Sequence, residues 1–97
     1  MRHEIRLAAE AVEDLKQLAA RLRAQVLDAM ETHLRHEPRK TSKSRIKRLR
    51  GVTKPQFRLR VNEVRVFYDV SKRSVEVLAI VMKADAVAWL SKAGKQP

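Results

Sequence analysis

Ninety-seven residues make one domain, residues 1–97, with no room for a second hydrophobic core. The chain has no cysteine, which excludes a disulfide framework and thiolate chemistry, and His3, His33 and His36 do not recur with carboxylates at a ligand-like spacing, so neither a metal nor another cofactor is expected. The net charge of +11 is concentrated, because His36–Arg65 hold eleven Lys/Arg against only Glu37 and Glu63, whereas Met1–Arg35 balance six against six; a basic stretch of this density points to a polyanionic partner.

The opening MRHEIRLAAEAVEDL alternates charged and apolar residues and has no apolar stretch of signal-peptide length. No run approaches the roughly 18–20 apolar residues that span a bilayer. A soluble, cytoplasmic chain with no membrane role is expected. His3–Leu7 reads as a short strand, with His3, Ile5 and Leu7 on one face. Val12, Leu15, Leu18 and Ala19 then recur at helical spacing across Glu10–Ala20, and Leu22, Val26, Met30 and His33 or Leu34 form a second helical stripe. Almost no linker separates the two, which predicts an antiparallel helical hairpin. Pro38 stops the second helix, since the residue before proline is pushed out of helical geometry.

Arg39–Leu49 is polar and basic and reads as a loop or irregular edge. Gln56–Val61 and Val64–Val70 both alternate with period 2 around the two residues Asn62 and Glu63, which is hairpin spacing. Val75–Met82 is apolar almost throughout, the pattern of an internal strand covered on both faces. Asp85–Lys92 suggests a short C-terminal helix around Trp89, which reads as a packing residue. The predicted fold is α+β: an N-terminal strand and a two-helix hairpin packed on a mostly antiparallel four-stranded sheet, with a short C-terminal helix.

With Asn62-Glu63 as the turn, Val61 faces Val64, Leu59 faces Val66 and Phe57 faces Tyr68, all on one side of the sheet. On the other side Arg60 lies across from Arg65, and Arg58 across from Phe67. Two arginines placed directly opposite each other cost about 0.2–1 kcal/mol. Folding gains nothing from the pair, whereas a phosphate site does, because guanidinium groups bind phosphate oxygens bidentately and stay charged. Phe67 on the same face is expected to be exposed and to offer a surface on which an unstacked base can sit. Taken singly, each arginine reads equally as an ordinary solvent-face residue. The group of Arg58, Arg60, Arg65 and Phe67, beside Lys43, Arg45, Lys47, Arg48 and Arg50, reads as an RNA interface.

The segment KRLRGVTKPQFRLRVNEVRVFYDVSKRSVEVLAIVMKADAVAW, Lys47–Trp89, resembles the RelE/ParE toxin superfamily. It carries a K-x-L-x-G lead-in, an aromatic–basic–apolar–basic strand, an R-V-x-Y strand and a buried strand ending near a basic residue. The resemblance implies a RelE-like toxin of a type II toxin–antitoxin module, a metal-independent endoribonuclease that inhibits translation by cleaving ribosome-bound messenger RNA. In that family the ribose 2′-hydroxyl attacks the adjacent phosphate. Carried over by motif, Arg60 and Arg65 would hold the scissile phosphate with Lys83 as a further catalytic cation, and Lys47, Arg50, Arg58 and Phe67 would bind neighbouring RNA. The implied partners are the ribosome, the message and a cognate acidic antitoxin, with operator DNA a target of the toxin–antitoxin complex.

Two departures stand out. Lys83 occupies the place where active members often carry an arginine, and Trp89 stands near the place of a C-terminal tyrosine or histidine. Tryptophan cannot move a proton, and arginine does not deprotonate, so the general acid and base are unassigned. Glu63 and Lys83 are the nearest candidates. Two other readings share the fold: a ParE-like toxin that poisons DNA gyrase through protein contacts, and an RNA-binding member with weakened catalysis.

Overall fold

The computed structural model describes residues 2–96. Their elements run β1 (Glu4–Leu7), α1 (Ala9–Gln17), α2 (Ala20–Leu34), β2 (Ile46–Arg48), β3 (Phe57–Val61), β4 (Val64–Val70), β5 (Ser74–Met82) and α3 (Lys83–Ala93). The expected α+β order holds. The sheet order is β1-β5-β4-β3-β2, with β1 parallel to β5 and the other pairs antiparallel.

The helical hairpin is built on a two-residue break: Leu18 and Ala19 are both extended. Neither helix is capped by a neighbouring side chain at this break. Instead Arg23 reaches back from α2, its Nε donating to the Leu15 carbonyl at 3.1 Å and its Nη2 to Lys16 and Leu18 at 3.2 and 2.8 Å. These carbonyls lie at and just past the end of α1, where helical partners run out, and the Leu15 carbonyl also accepts the Leu18 amide at 3.2 Å. From α2, Val26, Met30 and Leu34 face the sheet at four-residue intervals, and all are buried. They meet Leu59, Val61, Val64, Val66, Val75 and Val77 in one cluster. Phe57 and Tyr68 stack with centroids 5.5 Å apart. The Tyr68 hydroxyl donates to the Pro38 carbonyl at 2.7 Å, which ties the segment after α2 to the sheet.

β5 is internal, as its unbroken apolar run predicts, but β1 covers only its first half. Beyond Val77 the outer edge is met by α1, where Asp14 Oδ2 accepts the Ile80 amide at 2.9 Å. Burial raises the Asp14 carboxyl above its usual range, and the Ile80 bond opposes that shift.

The sheet has a fifth strand, β2, that the sequence left as an irregular edge. It has three residues, two of them basic, too few for an alternation to register. Ser42 shapes its approach by accepting the amides of Arg45 and Ile46 at 3.0 and 3.3 Å. Ile46 alone turns into the core.

His3 is buried with neither ring nitrogen partnered among the described residues, although its backbone amide reaches the Arg35 carbonyl. Burying an unpaired polar group costs about 1–3 kcal/mol. His3→Leu should therefore raise the denaturation midpoint, by about 1 kcal/mol in equilibrium unfolding. A loss of stability would mean that the imidazole is partnered after all.

Candidate nucleic-acid interface

The hairpin register is the one that period 2 dictates: Phe57↔Tyr68, Arg58↔Phe67, Leu59↔Val66, Arg60↔Arg65 and Val61↔Val64. Its turn needs a left-handed residue, and Asn62 takes that role at φ 53° in place of glycine. The Asn62 amide also donates to Gln25 Oε1 at 2.7 Å, tying the turn to α2. Lys47 on β2 lies across from Arg58, so Lys47, Arg58, Arg60 and Arg65 occupy adjoining positions on the sheet face away from α2.

The charges along this face are segregated. At its far end Asp69 and Glu76 pair across β4 and β5, and Lys54 reaches both at 3.6 and 3.7 Å. At the turn end, no salt bridge among the described residues involves Arg58, Arg60 or Arg65. Arg58 Nε is buried with no hydrogen-bond partner among the described residues. Burial, followed by the charges of Arg65 and Arg60, pulls the Arg58 guanidinium below its ordinary value. An arginine kept in that environment is stabilised by an arriving anion more than a solvated one is.

Arg65 departs from the expected solvent-face position. It is 7% exposed, and its Nη1 donates to the Asn62 and Val64 carbonyls at 2.8 and 3.1 Å. The guanidinium is thereby positioned against the turn, while Arg60 opposite it is exposed.

The expectation for Phe67 is overturned. Its ring is 1% exposed, because Trp89 of α3 stacks on it at 4.9 Å and 10°. Trp89 is in turn held by Glu10, whose carboxylate accepts the indole N–H at 2.6 Å. Phe67 therefore packs under α3 and is not an open platform for a base. A large aromatic on the polar side of a strand, with a second aromatic in a later helix, is the signal that would have foretold this cover.

Lys83 is exposed at the first position of α3, and its amide donates to the Glu63 carbonyl, so its backbone adjoins the hairpin turn. Arg50 lies in the loop after β2, exposed and outside the strand pairing. Tyr68 offers no substitute for the missing C-terminal tyrosine: its ring faces the core, and burial pushes its phenol far above the ordinary range. The site thus assembles cations well and proton-transfer groups poorly. None of the described helices is long and apolar enough to cross a membrane.

Several solved structures share this architecture. A mutant of the E. coli toxin RelE in the free state superposes with a TM-score of 0.73 at 23% identity, over 96% of this chain and 95% of that one. A chain of the archaeal RelE–RelB complex from Pyrococcus horikoshii gives 0.70 at 21%, over 86% and 97%. A chain of the Mycobacterium tuberculosis RelBE2 toxin–antitoxin complex gives 0.69 at 24%, over 84% and 99%. No curated protein matches the sequence. The fold, with its arginine-bearing hairpin, is that of the RelE/ParE toxin superfamily. Residues 5–86 match the description "ParE toxin of type II toxin-antitoxin system, parDE". The chain belongs to that family and is a type II toxin with a RelE-like fold.

Proposed function

We propose that this toxin acts on RNA, inhibiting translation by cleaving ribosome-bound messenger RNA at the Arg58–Arg60–Arg65 face. The observation that carries this reading is the set of three adjoining arginines with no carboxylate partner among the described residues, one of them with a buried N–H that none of those residues bonds. In the reaction the ribose 2′-oxygen attacks the neighbouring phosphorus, and the bond to the 5′-oxygen breaks. The products are a 2′,3′-cyclic phosphate and a 5′-hydroxyl. The proton lost by the 2′-hydroxyl goes to a base, and an acid supplies one to the departing oxygen. Arg60 and Arg65 neutralise the charge that builds on the phosphoryl oxygens, Arg65 from a guanidinium already fixed by the turn. Lys83 adds a cation beside the turn, and Lys47, Arg50 and Arg58 bind flanking phosphates. With the proton-transfer groups so sparse, the ribosome supplies part of that work.

A cognate antitoxin, acidic and folding on contact, is the expected partner in the cytoplasm, as RelB is of RelE in the archaeal complex. Together the two proteins are expected to bind operator DNA.

A second reading has a specific observation in its favour. The family description is that of ParE, and the arginine face brings few proton-transfer groups with it. On that reading the chain poisons DNA gyrase through protein contacts. Purified toxin added to translating ribosomes separates the two. Site-specific cuts in the bound message, mapped by primer extension, support the nuclease. Intact message together with gyrase-linked DNA breaks supports the gyrase poison.

A further inference from the structure

On the opposite side of β2 from the arginine face lies a hollow of about 450 Å³, between the end of α2 and the loop leading to β2. Thr32, His33, His36, Lys40, Ser44 and Arg45 line it. Glu37 lies within it too, but its carboxylate is 3.8 Å from Lys40 and is offset by that cation. Arg45 has no carboxylate within salt-bridge distance among the described residues. Its Nη1 lies 2.9 Å from His33 Nε2 instead.

That contact bears on the state of the imidazole. Arginine only donates, so a hydrogen bond here asks for a lone pair on His33 Nε2 and favours the neutral ring with its proton on Nδ1. The surroundings agree: burial first, and then the Arg45 charge, lower the His33 pKa, against a weaker opposing pull from Asp28 on the same helix. An arginine spending a hydrogen bond on a neutral histidine is held ready, because an anion offers it a stronger acceptor.

The hollow also connects with the arginine face. The Arg60 amide donates to the Arg45 carbonyl at 2.8 Å, and Lys47, two residues on, lies across from Arg58. β2 is the last strand of the sheet, so Arg45, Lys47 and Arg48 form a short basic rim joining one side to the other.

We propose that this hollow is a second phosphate site, which receives a backbone phosphodiester of the RNA strand after it leaves the arginine face and passes over the β2 rim. The inference rests on the reading of the chain as an RNA-directed toxin. A phosphate oxygen displaces His33 from Arg45, and Arg45 turns its fork onto the anion. His33, no longer facing a bare cation, takes up a proton and donates to a second oxygen. Asp28 and the anion favour that proton, while Arg45, Lys40 and any charge on His36 oppose it. RNA binding is therefore linked to proton uptake at this histidine.

The test is an NMR titration of the His33 imidazole in the full chain, alone, with inorganic phosphate, and with a 2′-O-methyl oligoribonucleotide that cannot be cleaved. The oligonucleotide should raise the His33 pKa by about one unit, and its affinity should be about fivefold higher near pH 6 than near pH 8. Arg45→Gln should abolish the His33 response and reduce the salt slope of binding by about 0.7. Arg45→Lys should restore part of both, and His33→Asn should remove the pH dependence even if Arg45→Gln does not fold. The proposal is overturned if His33 titrates identically with and without oligonucleotide. A response to inorganic phosphate alone would make this a free-phosphate site, and a response to an acidic peptide alone would make it a protein-docking site; either overturns the RNA assignment. Loss of the Arg45 effect with Arg60→Ala still harmful to growth arrest would reject the second site only. Harmless Arg60 and Arg65 substitutions would instead reject the reading on which it rests.

Discussion

Arg60→Ala is expected to abolish growth arrest on induction while leaving the melting temperature within a degree or two of wild type. Removing one preorganised donor from a developing oxyanion slows cleavage by roughly 10²–10³-fold. Arg60 is exposed and makes no salt bridge among the described residues, and its removal relieves the repulsion across the strand from Arg65, so the fold does not depend on it. Arg65→Ala should lose as much activity but behave differently in a melt. Its guanidinium is buried and bonded to two turn carbonyls, so truncation should cost about 1–3 kcal/mol of stability as well. Lys72→Ala, equal in charge removed but exposed in the β4–β5 turn, is the control and should remain toxic. A fully toxic Arg60→Ala, or a Lys72→Ala as harmless to cells as Arg60→Ala, would mean that the phosphate site lies elsewhere.

RNA affinity should fall by about 10²–10⁴-fold between roughly 50 and 200 mM salt, the loss expected when about 6–10 phosphates of a single strand are neutralised at a slope of about 0.7 each. The arginine face and the β2 rim together supply cations in that range, and those at the turn end carry no carboxylate of their own to compete with the RNA. Fluorescence anisotropy of a labelled single strand across a salt series gives the slope directly. A slope near zero would show that this charge does not touch phosphate.

The hairpin was legible to the residue because each strand carries its own period-2 record, and the two records agree on a single pairing of Phe57 with Tyr68 and Arg60 with Arg65. The Val26–Met30–Leu34 stripe was legible for the same reason at period 3.6. What stayed hidden depended on contacts between distant segments. β2 carries a single core residue, Ile46, and exists because β3 offers it a partner. Phe67 looked exposed because strand alternation describes two faces of a sheet and says nothing of what later covers them. Arg65 looked solvated for a related reason: its burial follows from bonds to the turn just before it, which no alternation encodes. The His33–Arg45 contact joins a helix stripe to a loop, and neither segment announces the other.

The two outer edges of the sheet also set how copies of this toxin behave toward one another. Beyond β1 the edge of β5 is plugged by the Asp14 carboxylate at the Ile80 amide, so no foreign strand can pair at that group. Along the β2 edge Ser42 occupies both Ile46 groups, its amide donating to the Ile46 carbonyl at 3.0 Å and its hydroxyl accepting the Ile46 amide at 3.3 Å, and the strand is only three residues long and flanked by Arg45 and Arg50. Two copies meeting edge to edge there would bring like charges together along the whole length of the new ladder, a recognised guard against strand-to-strand aggregation. The chain should accordingly stay monomeric in dilute buffer. A polyanion that neutralises the rim removes the guard, so self-association should first appear in mixtures with nucleic acid slightly below charge equivalence.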